Sequence, residues 1–280
     1  MIVFPHIKIN IGLNVVEKRE DGYHNIETVM YPVAGLADIL EVVFPTSATE
    51  EERKNGYVWR TTGRQLNCPI EKNTCIKALR LLGEKKQLPL VGLHLHKVVP
   101  DGAGLGAGSA DASFVIKELN KLLELGLTVD EMKEIAVRVG ADCPFFIDDQ
   151  PAYAEGVGEQ LTGISLPHIA NKKILIVKPD VSVSTAEAYA AITPRRPELN
   201  VSEVVKRDIV EWRKLLRNDF EEGVFEKHPE LRELKERMYD MGALYAQMSG
   251  SGSAIYGIFD EKHEVPQNVF GELFTWRGRL

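Results

Sequence analysis

Residues 100–109 read PDGAGLGAGS, with glycine at every second position from Gly102 to Gly108. A strand pattern ends just before this stretch, and a helical spacing begins just after it at Ala110. Glycine permits positive φ and lets a ligand approach the main chain closely. Ser109 and Asp111 are residue types that cap helices. A helix N-terminus offers unpaired N–H groups and a positive dipole to an anion. Together these describe a cradle for phosphate. It is not a Walker A loop, which ends in Gly-Lys-Ser/Thr, because Gly108 runs directly into Ser109. A dinucleotide fingerprint would need an acid closing the next strand about 20 residues on, inside a βαβ unit. The acid at that distance, Glu124, sits in a helical pattern instead. The remaining alternative is a plain flexible turn.

Other residues offer weaker chemistry. Ser249, Gly250, Ser251 and Gly252 form a second glycine-serine turn, a type common in ordinary tight turns. Asn73 opens a helical pattern and serves either as its N-cap or as a contact to adenine or ribose. His94 and His96 share one face of a strand, but a His-x-His pair without a third ligand is a poor metal site. Cys68, Cys75 and Cys143 fit neither a metal pair nor a disulfide framework, and read as reduced thiols.

The elements that must hold these residues are set by periodicity. Residues 2–16 alternate as a strand, with Ile7, Ile9, Ile11 and Leu13 against Lys8, Asn10 and Asn14. After the polar turn 17–24, further strands are expected at Ile26–Pro32, Asp38–Phe44 and Leu90–Val99. The charged stretch 46–56 reads as a loop or hairpin tip. Helices are expected at Asn73–Lys86, Ala110–Leu125 and Thr128–Val139, the last closed by Gly140 as a C′ residue. Strands come next at Ala152–Gly156 and Lys172–Lys178, then a proline- and charge-rich mobile connection over 191–208. Two helices, near Ile209–Asn218 and Pro229–Gly242, precede the glycine-serine turn and its strand. Strands and helices mix without strict βαβ alternation, which predicts an α+β fold whose first domain ends near residue 160.

The bulk properties set limits. The chain has 280 residues, 44% hydrophobic and 27% charged, which describes a soluble globular protein of one large or two ordinary domains. It contains no apolar run of about 18 residues. Its start, MIVFPHIKIN, lacks a basic segment ahead of a long apolar stretch, so a cytoplasmic protein is expected. The net charge of −7 argues against nucleic acid as a partner, and nothing suggests a membrane. It leaves room for an anionic small molecule held by local backbone amides. Oligomeric state is not readable from the sequence.

Three motifs stand in order: PHIKINIGL, PDGAGLGAGSADAS and MSGSGSAIYGIF. This triplet resembles the kinase superfamily named after galactokinase, homoserine kinase, mevalonate kinase and phosphomevalonate kinase (GHMP). KREDGYHNIETVM (18–30), ADCPFF (141–146), AEGVGEQL (154–161), VSVSTAEAY (181–189) and NDFE (218–221) narrow the match. They are similar to the branch that phosphorylates the 2-hydroxyl of 4-diphosphocytidyl-2-C-methyl-D-erythritol in isoprenoid precursor synthesis.

The resemblance implies a two-domain α+β fold. Residues 1–160 would form an N-terminal ATP-binding domain like the second domain of ribosomal protein S5. Residues 161–280 would form a ferredoxin-like, substrate-side domain. Pro100, Asp101, Gly102, Ala103, Gly104, Leu105, Gly106, Ala107, Gly108, Ser109 and Ala110 would then hold the ATP phosphates, and the 249–252 turn would close over them. It also implies a catalytic pair, Lys8 and Asp142. The alternatives beside that pairing are a solvent-facing lysine on a half-buried strand and an aspartate that caps a helix.

For the substrate, the resemblance sets Tyr23 and Tyr189 on the two faces of a cytosine, His24 at its edge and Asn10 near the methylerythritol. Tyr23 and His24 could equally finish the Asp-Gly turn, and Tyr189 could be core. Mg²⁺ would arrive with ATP, with Ser109 a candidate ligand. Ala107 and Ala110 depart from the Gly and Ser commoner in the family, and Cys143 from a valine. Competing readings are a sister kinase acting on homoserine, mevalonate or a sugar, a non-catalytic nucleotide sensor, and a nicotinamide-dependent enzyme.

Overall fold

The computed structural model describes residues 1–66, 68–266 and 269–280. Along the chain the strands are β1 (Ile2–Val3), β2 (His6–Lys18), β3 (His24–Ala37), β4 (Ile39–Val43), β5 (Tyr57–Gly63), β6 (Val91–Lys97), β7 (Ala152–Glu155), β8 (Gln160–Gly163), β9 (Lys173–Lys178), β10 (Tyr245–Met248), β11 (Ile255–Phe259) and β12 (Phe274–Arg279). Contacts divide the chain into two units, neither of them a continuous stretch. One comprises Met1–Ile7, Ala37–Asp101 and Gly106–Asp149; the other comprises Lys8–Leu36, Gly102–Leu105 and Gln150–Leu280.

The first unit carries a sheet of order β1-β4-β6-β5. Helices Thr74–Lys85, Ala107–Leu122 and Val129–Val139 supply the other side of its core. Leu40, Leu93 and Leu95 of the sheet join Ile76, Leu79, Val115, Ile116, Leu119 and Ile135 of the helices in one buried cluster. These helical positions recur at three- and four-residue spacing, which puts them on one face. Burying each such side chain stabilises the fold by about 1.5–3 kcal/mol.

β5 runs parallel to β6, with helix Thr74–Lys85 as the crossover, so a βαβ unit does lead into the glycine loop. The sequence shows no such unit because β5, YVWRTTG, turns polar after three residues. A dinucleotide reading still fails at the next element. Helix Ala107–Leu122 is succeeded by helix Val129–Val139, where a fingerprint requires a strand.

The expected loop at 46–56 is instead partly helical, over Glu50–Asn55. Thr49 accepts from the Glu52 N–H, and the Glu52 carboxylate accepts from the Thr49 N–H at 2.8 Å. This is a capping box, and Gly56 closes the helix in the left-handed region. The T-x-x-E signal is present in the sequence, but no apolar face accompanies it, since none of these helical residues is buried.

In the second unit one sheet has the order β2-β3-β7-β8 and another the order β10-β11-β9-β12. Leu175, Val177, Met248, Ile255 and Phe259 pack with Leu231, Leu234 and Met238 of helix Pro229–Asp240. Phe220 and Val224 of helix Phe220–Lys227, and Leu13 and Val15 of β2, complete this core. The expected mobile connection at 191–208 is anchored. The Arg195 N–H bonds the Val15 carbonyl at 2.9 Å, and Asn200 caps a short helix, Val201–Val204. Its prolines and arginines mask Val201, Val204 and Val205, all buried.

His6 gives the first unit a pH dependence. Its Nε2 lies 2.7 Å from Asp149 Oδ1, at the end of helix Cys143–Asp148. Burial lowers the imidazole pKa, but the Asp149 carboxylate and the Ile7 carbonyl outweigh it, so the pKa is raised above its ordinary value. The stabilisation is therefore fully present below the unfolded pKa of about 6.5 and is lost as pH rises through the folded value. Urea unfolding of the wild type should lose stability as pH rises above about 6.5. Asp149→Asn should flatten that slope; an unchanged slope would count against the pair.

Candidate active site

Lys8 is 3% exposed, so the solvent-facing alternative does not hold. Its Nζ donates to Asn10 Oδ1 and to the Gly104 carbonyl, the latter at 3.3 Å. Its main-chain N–H donates to the Leu105 carbonyl at 2.9 Å. One residue thus holds the first half of the glycine loop by main chain and side chain. Asn10 is equally buried. It donates through Nδ2 to Thr28 Oγ1 at 3.2 Å and through its N–H to Ser249 Oγ at 3.3 Å, while its carbonyl accepts from the Tyr256 hydroxyl at 2.8 Å.

The glycine loop and the 249–252 turn meet within the second unit. The Ser249 hydroxyl donates to the Gly104 carbonyl at 2.9 Å. The Ser253 and Ala254 N–H groups donate to the Gly102 and Ala103 carbonyls at 3.3 and 3.1 Å. Ser249 to Gly252 are therefore more than an ordinary tight turn.

Asn218 of the NDFE motif holds this turn. Its Nδ2 donates to the Met248 and Gly250 carbonyls, both at 2.8 Å, and its Oδ1 accepts from the Phe220 N–H. Glu221 accepts from the Met248 N–H at 2.9 Å and pairs with Lys235. Burial raises the Glu221 pKa, with Lys235 opposing. Asn218→Ala would strip two buried carbonyls of their donor and should cost about 2 kcal/mol. Thermal unfolding measures the loss, and a midpoint equal to wild type would remove Asn218 from this role.

The second half of the glycine loop belongs to the first unit. Helix Ala107–Leu122 begins three residues earlier than its periodicity predicts, with Gly106 as N-cap at φ 71°. Ser109 and Asp111 therefore do not cap it. The Ser109 and Ala110 N–H groups bond the Gly106 carbonyl, while among the described residues those of Ala107 and Gly108 bond nothing and remain available to an anion. Asn73 is the N-cap of helix Thr74–Lys85, accepting from the Cys75 and Ile76 N–H groups at 2.9 and 3.3 Å. Beside it, Thr74 Oγ1 donates to the Gly108 carbonyl at 2.7 Å.

Asp111 sits instead in a buried charge cluster. Lys97 Nζ pairs with Asp38, with Asp111 at 3.2 Å and with Asp101 at 3.8 Å. Asp38 also accepts from the Val98 and Val99 N–H groups. Burial would lower the Lys97 pKa, but Asp111 and Asp38 raise it overall, while burial pushes the Asp111 carboxyl up to about 8 against the pull of Lys97. The cluster ties the end of β6 to the first turns of helix Ala107–Leu122. Sequence reading misses Lys97 and Asp38, because a charged residue at a strand end normally faces solvent.

Asp142 occupies the N-cap position of helix Cys143–Asp148, but its carboxylate makes no capping hydrogen bond. The capping alternative thus fails on geometry. Cys143 is buried. Burial pushes its thiol up to about 12, with the Ser109 and Ser113 hydroxyls opposing, so it stays a thiol.

The aromatic residues are arranged otherwise than as an open slot. The His24 and Tyr189 rings stack at 4.7 Å and 20°, and Tyr189 meets the edge of Phe220 at 4.8 Å. Burial and Lys18 lower the His24 pKa. Tyr23 is 65% exposed and stands just after the Asp-Gly turn, its N–H bonded to Asp21. His94 and His96 each bond Thr62 Oγ1 at 2.9 Å.

Comparisons with known proteins identify the family and the fold. Residues 73–156 match the GHMP kinases N terminal domain and residues 200–269 the GHMP kinases C terminal domain. The chain is 44% identical, over the whole of both chains, to a 4-diphosphocytidyl-2-C-methyl-D-erythritol kinase of Parabacteroides distasonis. It is 45% identical, again over both whole chains, to one of Bacteroides thetaiotaomicron. A crystal structure of 4-(cytidine 5′-diphospho)-2C-methyl-D-erythritol kinase superposes with a TM-score of 0.81 at 30% identity, covering 99% of this chain and 98% of that one. The fold is the two-domain α+β fold of GHMP kinases. With a glycine loop, a buried lysine upon it and full-length relatives of one kind, the chain belongs to the 4-diphosphocytidyl-2-C-methyl-D-erythritol kinase family of the GHMP kinases.

Proposed function

We propose that this protein transfers the γ-phosphoryl group of ATP to the 2-hydroxyl of 4-diphosphocytidyl-2-C-methyl-D-erythritol, an ATP-dependent step of isoprenoid precursor synthesis. The observation that carries the reading is Lys8, a buried ammonium bonded at once to the glycine loop and to Asn10. The loop side accounts for phosphate, and Asn10 for the acceptor alcohol.

Asp142 accepts the proton of the 2-hydroxyl as that oxygen bonds to the γ-phosphorus and the bond to the ADP oxygen breaks. Lys8 holds the reacting oxygens in place and offsets their charge. The free N–H groups of Ala107 and Gly108 take up charge on the phosphate oxygens at the helix N-terminus. Mg²⁺, bound through phosphates and water, would neutralise the developing charge, and the Ser109 hydroxyl in the first helical turn is the side chain suited to it. The acids nearest the loop, Asp101 and Asp111, are engaged with Lys97.

Tyr189, His24 and Tyr23 make the cytosine end, where a neutral His24 can both donate to and accept from a base edge. The ATP side draws on residues 100–110, and the substrate side on Asn10, Tyr23 and His24 together with Tyr189. Among the described residues no helix is long and apolar enough to cross a membrane, and we place the reaction in the cytoplasm. Incubation with ATP, Mg²⁺ and the cytidine substrate, monitored by phosphorus NMR, tests the proposal. A new phosphomonoester on the 2-hydroxyl supports it. Turnover of homoserine, mevalonate or a sugar instead would replace the acceptor, and ATP binding without turnover on any alcohol would leave a sensor.

A further inference from the structure

A cavity of about 410 Å³ opens in the second unit beside β2, far along the strand from Lys8. Six residues separate Lys8 from Asn14, which lines the cavity; at about 3.3 Å per residue this is roughly 20 Å. The side chain of Asn14 points away from the candidate cytosine site. Its neighbours Leu13 and Val15 belong to the hydrophobic cluster that includes Phe220 and packs Tyr189, and successive strand residues face opposite ways.

Four cations line the cavity: Arg195, Arg196, Lys214 and Arg217. Glu198 and Asp219 are the acids on its wall, so the lining carries a surplus of positive charge in a chain of net charge −7. The Asp219 carboxylate accepts from the Val15 N–H at 2.8 Å and also feels the Arg195 and Arg217 guanidinium groups, so it offsets part of that charge. Among the described residues, none of the four cationic side chains has a carboxylate within 4 Å or donates a hydrogen bond, although Arg195 and Arg217 act at longer range on Asp219 and Arg196 on Glu27. Elsewhere Arg60, Lys133 and Arg138 each have a carboxylate partner within 3 Å.

Asn14 is the second sign. It is 5% exposed, yet among the described residues its carboxamide has no hydrogen-bond partner. The residue is nearly buried but its carboxamide lies on the cavity wall, where it is open to a ligand that pairs it. The walls are also fixed. Leu13 exchanges main-chain hydrogen bonds with Arg217 and Asp219, at 2.9 and 2.8 Å, and Arg195 bonds Val15.

We propose that this cavity is a second anion site, taking the diphosphate group of a small phosphorylated ligand, with the two guanidinium groups of Arg195 and Arg217 and the Asn14 carboxamide as its donors. Arginine forks match paired phosphate oxygens, and the volume suits a diphosphate with a small organic part.

The test is calorimetric titration of the full chain with inorganic pyrophosphate and, in parallel, CDP, at low salt and with a non-hydrolysable ATP analogue saturating the glycine loop. Wild type should bind pyrophosphate, and Arg195→Ala/Arg217→Ala and Asn14→Leu should each weaken it about tenfold or more. The kinase reaction at saturating substrates, or the thermal midpoint if that reaction is absent, should stay as in wild type for the arginine variant. CDP bound more tightly than pyrophosphate, with the same loss in the variants, assigns the site to a nucleoside diphosphate; equal binding assigns it to the bare group. No binding by wild type, or binding that both variants retain, overturns the proposal.

Discussion

Replacement of Lys8 by methionine is expected to lower kcat about a thousandfold while leaving the protein folded. Lys8 is buried, and its ammonium is bound both to Asn10 and to the Gly104 carbonyl. Methionine fills the same channel with an unbranched side chain, so packing is largely kept while the charge and its hydrogen bonds to Asn10 and the Gly104 carbonyl are removed. Alanine would add a cavity, and its thermal midpoint should fall further for that reason. Asp142→Asn is the matching change. It keeps shape and removes the capacity to accept the proton, and since this carboxylate makes no capping bond, helix Cys143–Asp148 should survive it. Residues acting in one step are not additive, so the double variant should be little slower than either single one. Kinetics at saturating ATP and acceptor, with unfolding measured on the same samples, separates the two effects. A Lys8→Met enzyme with more than about a tenth of wild-type kcat would remove Lys8 from the chemistry.

The fold is legible where local signals and burial agree. Helix Thr74–Lys85 has an Asn cap and a one-sided apolar face, and periodicity places it within one residue. Periodicity misplaces the start of helix Ala107–Leu122 because four glycines carry none. Ser109 and Asp111, both good cap types, lie inside the first turns, where Asp111 serves Lys97 instead. Short edge elements escape altogether. β8, QLTG, has no buried residue, and β12, FTWRGR, carries two arginines and a glycine.

The site is legible as a set of motifs and not as a network. PHIKIN offers Lys8 and Asn10, but nothing in their spacing says that they bond each other. Nor does NDFE say that Asn218 grips Met248 and Gly250, thirty residues on. Those links come from long-range packing, and only the structure supplies the partner. Asn14 and the arginines at 195 and 217 carry no signal of a site for the same reason: a lone polar residue on a strand or in a loop normally faces water.

Gly104→Ala should be the most damaging small substitution in the loop. The backbone there has φ 72°, which costs an alanine about 1–2 kcal/mol. A Cβ would also stand 1.9 Å from the Ser249 carbonyl oxygen, a main-chain atom that cannot rotate away. Relieving such an overlap costs about 1–3 kcal/mol, so roughly 2–5 kcal/mol is expected in total, a large part of a typical domain's 5–15 kcal/mol. The displaced segment is the one that Lys8 and the Ser249 hydroxyl both hold through the Gly104 carbonyl. ATP affinity should therefore fall with stability. Gly102→Ala is the control. Its φ of 60° brings the same conformational cost, but nothing lies within 4 Å of the added carbon. It should lose only about 1–2 kcal/mol and keep most of its ATP affinity. Urea unfolding and ATP titration of the two variants would decide the matter. If Gly104→Ala proved no worse than Gly102→Ala, the contact between the glycine loop and the Ser249 turn would have no part in shaping the phosphate site.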